Sequence, residues 1–142
     1  MICVYSDGSA TSHDLPGGYG VVITMNGEQI VEFNGSLENA TNNEAELSGA
    51  IAGLQYVVDH LDISEEIVLV SDSQLVLGYA NGSYRCKAMH LTPLYIKLRK
   101  LYQQLNAETR WVRGHNGEPF NERCDKLAKS ARETQLAKKN KK

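Results

Sequence analysis

Short apolar runs, rich in β-branched and aromatic residues, open this chain; the spacing then lengthens to threes and fours. "ICVYSD" predicts a strand that breaks at Gly8 and presents Asp7 at its end. "GGYGVVITMNGEQIVEFNGS" predicts two strands joined at Asn26-Gly27, the strongest short-range hairpin signal. From Asn43 to about His60, the residues Leu47, Ala50, Ile51, Leu54, Val57 and Val58 recur at helical spacing and predict an amphipathic helix. The unbroken "IVLV" of "EEIVLVSDS" suits a strand buried on both faces that ends at Asp72, with a short helix over about Ser73–Ala80. "NGSYRCKAMH" reads as a loop. Leu94, Leu98, Leu101 and Leu105 share one stripe of a further helix, with Pro93 in its first turn. "ETRWVRG" is a fifth strand, and Phe120, Cys124, Leu127, Ala128 and Ala131 define a last helix.

The predicted order is β-β-β-α-β-α-α-β-α. Three meandering strands followed by alternating helices and strands imply an α/β fold. Its five-stranded mixed sheet has its first three strands antiparallel and is flanked by helices.

Composition narrows the class. The chain has 142 residues, which fits one domain, and 42% hydrophobic with 23% charged residues is ordinary for a globular protein. No apolar run approaches the ~18 residues that span a bilayer, and the start, with an acid at position 7, does not read as a signal peptide. Cys3, Cys86 and Cys124 have no paired spacing, which points to reduced thiols, a cytoplasmic location and no zinc site. Net charge is −2, but four lysines fall within the last five positions, so the 11 earlier basic residues face 17 acids and the rest of the chain carries about −6. Residues 1–133 are expected to form the domain and 134–142 a basic, flexible tail.

Acids stand where such a fold collects function. In open α/β sheets, sites gather at strand ends. Asp7 and Asp72 are placed there, Glu46 starts the first long helix, and Asp125 flanks the apolar stripe of the last one. Gathered together, these four would repel one another unless divalent cations neutralised them, and Mg²⁺ prefers such oxygen ligands. Each acid also has a plain explanation. Asp7 before Gly8 suits a turn, and Asp72 suits a helix cap. Glu46 suits a helix dipole, as Glu44 does equally, and Asp125 suits a pair with Arg123 or Lys129. Periodicity does not choose between Glu44 and Glu46. His115, between glycines in "VRGHNGEPFN", is either a surface histidine or a general acid/base, whereas His13, His60 and His90 read as solvated.

Six short segments together resemble the type 1 ribonuclease H family. They are "SDGS" at 6–9, "GGYG" at 17–20, "TNNEAEL" at 41–47, "SDSQ" at 71–74, "RGHNG" at 113–117 and "NERCDKLA" at 121–128, in the family's order over about residues 1–132. The resemblance implies a ribonuclease H-like fold and an endonuclease that cuts the RNA strand of an RNA–DNA hybrid. It implies two Mg²⁺ ions about 4 Å apart, with Mn²⁺ as a substitute. Asp7, Glu46, Asp72 and Asp125 then fall on the metal-binding acids and His115 on the loop histidine. Asp7 would bridge both ions, Asp125 would serve the ion that activates water, and Glu46 and Asp72 the ion at the departing 3′ oxygen. Products would carry 5′-phosphate and 3′-hydroxyl ends. In the family, the positions of Asn42, Asn43 and Gln74 touch the hybrid, and that of Thr41 helps to hold a phosphate of the DNA strand. Such amides both donate and accept, as reading a 2′-hydroxyl requires; the plain alternatives are helix capping by Asn42 and Asn43 and a surface amide at Gln74.

The chain also departs from some relatives. "NGSYRCKAMHL" holds only Arg85 and Lys87 where they carry a Trp- and Lys-rich basic protrusion, and no partner for the DNA-phosphate pocket is evident near residue 91. The rival readings are a related two-metal 3′–5′ exonuclease and a hybrid-binding module without catalysis. Such exonucleases usually pair an acid two residues after the first aspartate, where this chain has Ser9, and a pure binder gains nothing from four clustered acids. A monomer is expected.

Overall fold

In the computed structural model, which describes residues 1–62, 64–114 and 117–141, five strands form one sheet in the order β3-β2-β1-β4-β5. The elements are β1 (Ile2–Ala10), β2 (Gly17–Met25), β3 (Glu28–Leu37), α1 (Asn42–His60), β4 (Ile67–Ser71), α2 (Gln74–Asn81), a 3₁₀ turn at Met89–Leu91, α3 (Thr92–Gln104), β5 (Glu108–Trp111) and α4 (Pro119–Asn140). The β1–β2 and β2–β3 pairs are antiparallel; β1–β4 and β4–β5 are parallel. The turn between β2 and β3 has positive φ at Asn26 (52°) and Gly27 (87°), as the hairpin signal requires.

Strand parity divides the core between the two faces. Ile2, Val4, Ile67 and Leu69 pack with Leu47, Leu54 and Val57 of α1, Leu77 of α2 and Leu98 of α3. Cys3, Tyr5, Val68 and Val70 pack on the other face with Cys124, and Phe120 and Leu127 of α4 lie against them. All five residues of β4 are buried, as its unbroken apolar run implies.

Two boundaries differ from expectation. β1 does not break at Gly8 but pairs with β2 through Ala10↔Gly17, whereas its ladder to β4 stops at Tyr5↔Val70. Asp7 therefore lies inside a strand, yet just past the end of the parallel pair. Gly8 remains extended because its missing side chain makes room: a Cβ there would collide with the backbone of Ala45 and Glu46 in α1. The last helix also passes the expected boundary at 133/134 and runs to Asn140. Ala, Gln and Lys are strong helix formers, and side chains anchor this extension: Ser36 Oγ donates to Gln135 Oε1 at 3.1 Å, and Lys139 Nζ donates to the Asp14 carbonyl at 2.9 Å.

Candidate active site

Three of the predicted acids meet beyond the end of the parallel ladder. Asp7, Glu46 and Asp72 each offer a carboxylate oxygen within 4.8 Å of the others. Each is delivered by a local rule. Asp7 shares strand parity with Cys3 and Tyr5 and is 7% exposed; its Oδ1 accepts the Gly8 N–H at 3.0 Å. Asp72 follows the last residue of β4, and the next residue, Ser73, caps α2 by accepting the Val76 N–H at 3.2 Å.

Glu46 reaches the site because Glu44 is occupied elsewhere. Thr41, not Asn42 or Asn43, caps α1: its hydroxyl accepts the Glu44 N–H at 3.2 Å and its own N–H donates to Glu44 Oε1 at 2.9 Å. This capping box turns Glu44 back on the helix start. Glu46, two residues on, faces the acids, with the Ser73 and Asn42 side chains beside it. Asn42, Asn43 and Gln74 are exposed around the cluster, at the starts of α1 and α2.

Crowding dominates the electrostatics. Burial, then the charges of Asp72 and Glu46, push Asp7 up to about 8, and Asp125 adds a smaller push. Burial and then Asp72 raise Glu46 to about 7, against hydrogen bonds from Ser73 and Asn42 that favour its charged form. Such a donor set, all oxygen and strained by like charge, fits a hard divalent cation.

Asp125 stands outside this trio. Lys129, four residues on along α4, takes its carboxylate at 3.0 Å, one of the two pairings anticipated for it; the other candidate, Arg123, instead pairs with Glu32 at 2.6 Å. His115 lies outside the described residues. The chain passes Asp72 immediately before it, since a Cβ on Gly114 would lie 2.9 Å from Asp72 Oδ2. His13, His60 and His90 are exposed, as expected of solvated side chains.

The sequence reading missed Asn121 and Trp111. Buried Asn121 donates from Nδ2 to Asp72 Oδ2 at 3.5 Å, and Trp111 Nε1–H donates to the Asp72 carbonyl at 3.2 Å. Asn121 stands four residues before Asp125, on nearly the same helical face, which could have singled it out. A groove of about 630 Å³ between α1 and α3, lined by residues such as Ile51, Leu94, Lys97 and Lys100, has no acid in its lining.

The fold and site define a class: an α/β domain that gathers carboxylates at the end of the parallel part of a mixed sheet. Comparison then narrows it. The RNase H family profile matches residues 1–133, and the chain belongs to that family. It is 36% identical over 142 residues to the ribonuclease H of Sulfurovum sp., covering 94% of this chain and 91% of the relative. To that of Desulforamulus reducens it is 37% identical over 142 residues, covering 92% and 86%. Among solved structures, the N-terminal RNase H domain of a Mycobacterium tuberculosis protein, fused to maltose-binding protein, superposes with a TM-score of 0.84 at 28% identity, covering 96% of each chain. LC11-RNase H1, from compost, in complex with an RNA/DNA hybrid, gives 0.82 at 25% identity, covering 96% of this chain and 99% of that one.

Proposed function

We propose that this chain is an endoribonuclease that hydrolyses the RNA strand of RNA–DNA hybrids with divalent metal, two Mg²⁺ ions per site or Mn²⁺ in their place. The observation that carries the reading is the trio Asp7, Glu46 and Asp72, gathered with Asp7 buried and the other two half-buried, where crowding raises Asp7 and Glu46 in a way that a cation would relieve. Bound metal would supply an activated water and neutralise charge on the scissile phosphate.

The remaining roles belong to the chain's own groups. Asp125 would join the ligand set by leaving Lys129, since a solvent-accessible i,i+4 pair contributes only about 0.3–0.5 kcal/mol. His115, one residue after Gly114, moves a proton or helps the product leave. Asn42, Asn43 and Gln74 present amides that donate to and accept from a 2′-hydroxyl. The Thr41 hydroxyl oxygen is committed to the Glu44 N–H, which leaves its O–H to donate to a phosphate oxygen of the DNA strand. The enzyme works as a monomer in the cytoplasm. Three free thiols, two of them buried, support a reducing compartment, and no described helix is long and apolar enough to cross a membrane.

Incubation with a labelled hybrid, an RNA duplex and a DNA duplex, each with Mg²⁺ or EDTA, tests this. Internal cuts in the RNA of the hybrid alone, with Mg²⁺ alone, are expected. A ladder shortening from one 3′ end would favour the exonuclease, and binding without cleavage the non-catalytic module.

A further inference from the structure

Asn121 has no part in the reading above, although it is only 3% exposed and lies against the acids. It is the third residue of α4, and its backbone N–H donates to the Glu118 carboxylate at 2.6 Å. Its Nδ2 reaches Asp72 Oδ2 at 3.5 Å, while its Oδ1 is buried and has no partner among the described residues. A buried amide with an unmet acceptor is a net cost, and the other buried side chains of α4, Cys124, Ala128 and Ala131, are all small and weakly polar or apolar. An apolar residue would pack here without that cost.

We propose that Asn121 is a positioning residue that fixes the Asp72 carboxylate for metal binding. This rests on the metal-site reading given above. Asp72 is held at two points: Trp111 takes its backbone carbonyl, and Asn121 takes Oδ2, which the Gly114 backbone closes from another side. One carboxylate oxygen is thus enclosed and the other is left for a cation. The donor must be neutral. A lysine or arginine at 121 would hold Asp72 equally well but would compete with the cation for its charge. Residues that orient ligands in this way typically change metal affinity 10–100-fold when removed.

The test uses the full chain with Asn121→Leu, which keeps the branched shape and removes the donor, and Asn121→Ala as a second variant. Calorimetric titration with Mg²⁺ and Mn²⁺ is expected to show metal Kd raised about tenfold. Cleavage of a hybrid should need correspondingly more Mg²⁺, with kcat at saturating metal within about twofold of the parent. In an Asp72→Asn background, Asn121→Ala should change metal affinity no further. Unchanged metal affinity with a lowered Tm, or a fall in kcat that added Mg²⁺ does not rescue, would overturn the assignment. So would failure of both variants to fold, which would make Asn121 a core residue. A parent chain that binds no Mg²⁺ would instead overturn the proposed function.

Discussion

Asp7→Asn should make the metal-free protein more stable while abolishing cleavage. Burial and neighbouring charge push Asp7 from 3.8 up to about 8. In the unfolded chain, the same carboxyl ionises near its ordinary value. Between about pH 4 and pH 8 the native state therefore binds a proton that the unfolded state has lost, so stability falls as pH rises through that window. At about 1.4 kcal/mol per pKa unit, the limiting penalty above pH 8 is about 5–6 kcal/mol. The site shares this penalty with Glu46, and the variant weakens the hydrogen bond from Gly8 by about 1 kcal/mol. The net gain should be about 2–3 kcal/mol at pH 8 in EDTA, or roughly 5–12 °C in Tm.

The pH dependence distinguishes this cause from a general improvement in packing. The gain should shrink to within about 1 kcal/mol at pH 5, where the native carboxyl is protonated, only about 1.7 kcal/mol of the penalty remains, and the weakened Gly8 hydrogen bond offsets much of it. Added Mg²⁺ should stabilise the parent more than the variant and narrow the difference. Denaturation in urea, followed by circular dichroism at both pH values with EDTA or Mg²⁺, measures all of this. A variant no more stable than the parent at pH 8, or a gain that grows toward pH 5, would refute the electrostatic account.

Gly8→Ala should destabilise the fold by more than about 3 kcal/mol and lower activity, because its Cβ meets the α1 backbone rather than a movable side chain; thermal unfolding and hybrid cleavage check this. Removing residues 138–142, which hold four lysines, should weaken hybrid binding and flatten its salt dependence, by about 0.9 in slope for each phosphate that is no longer neutralised; unchanged affinity across salt would refute a role for the lysines in binding.

What was legible in the sequence was local. Asn26-Gly27 announced its hairpin, "IVLV" its doubly buried strand, and the leucines of α1 and α3 their buried stripes. Long-range pairing was not legible. Gly8 looked like a strand end because a partner on only one side, β2, carries β1 onward. Beyond residue 133 no apolar stripe remained to mark a helix, although helix-forming residues and two anchoring side chains continue it. Glu44 and Glu46 could not be separated by periodicity, yet the Thr41-x-x-Glu44 capping box was there to be read. The pairing of Asp125 with Lys129 rather than Arg123 depended on Glu32, which lies on β3 and far away in sequence.

Glycines let both helices press against the sheet at one level. Gly8 admits α1, and Gly20, which pairs with Asp7 from the adjacent strand, admits the α4 backbone at Cys124. Pinned from above and below, the carboxylates cannot drift apart to ease their repulsion. Lineages carrying this architecture can revise the rim, where Asn43, Gln74 and the lysines project into water, with little consequence for folding. The two glycines have no such latitude, since any side chain there would lift a helix off the sheet.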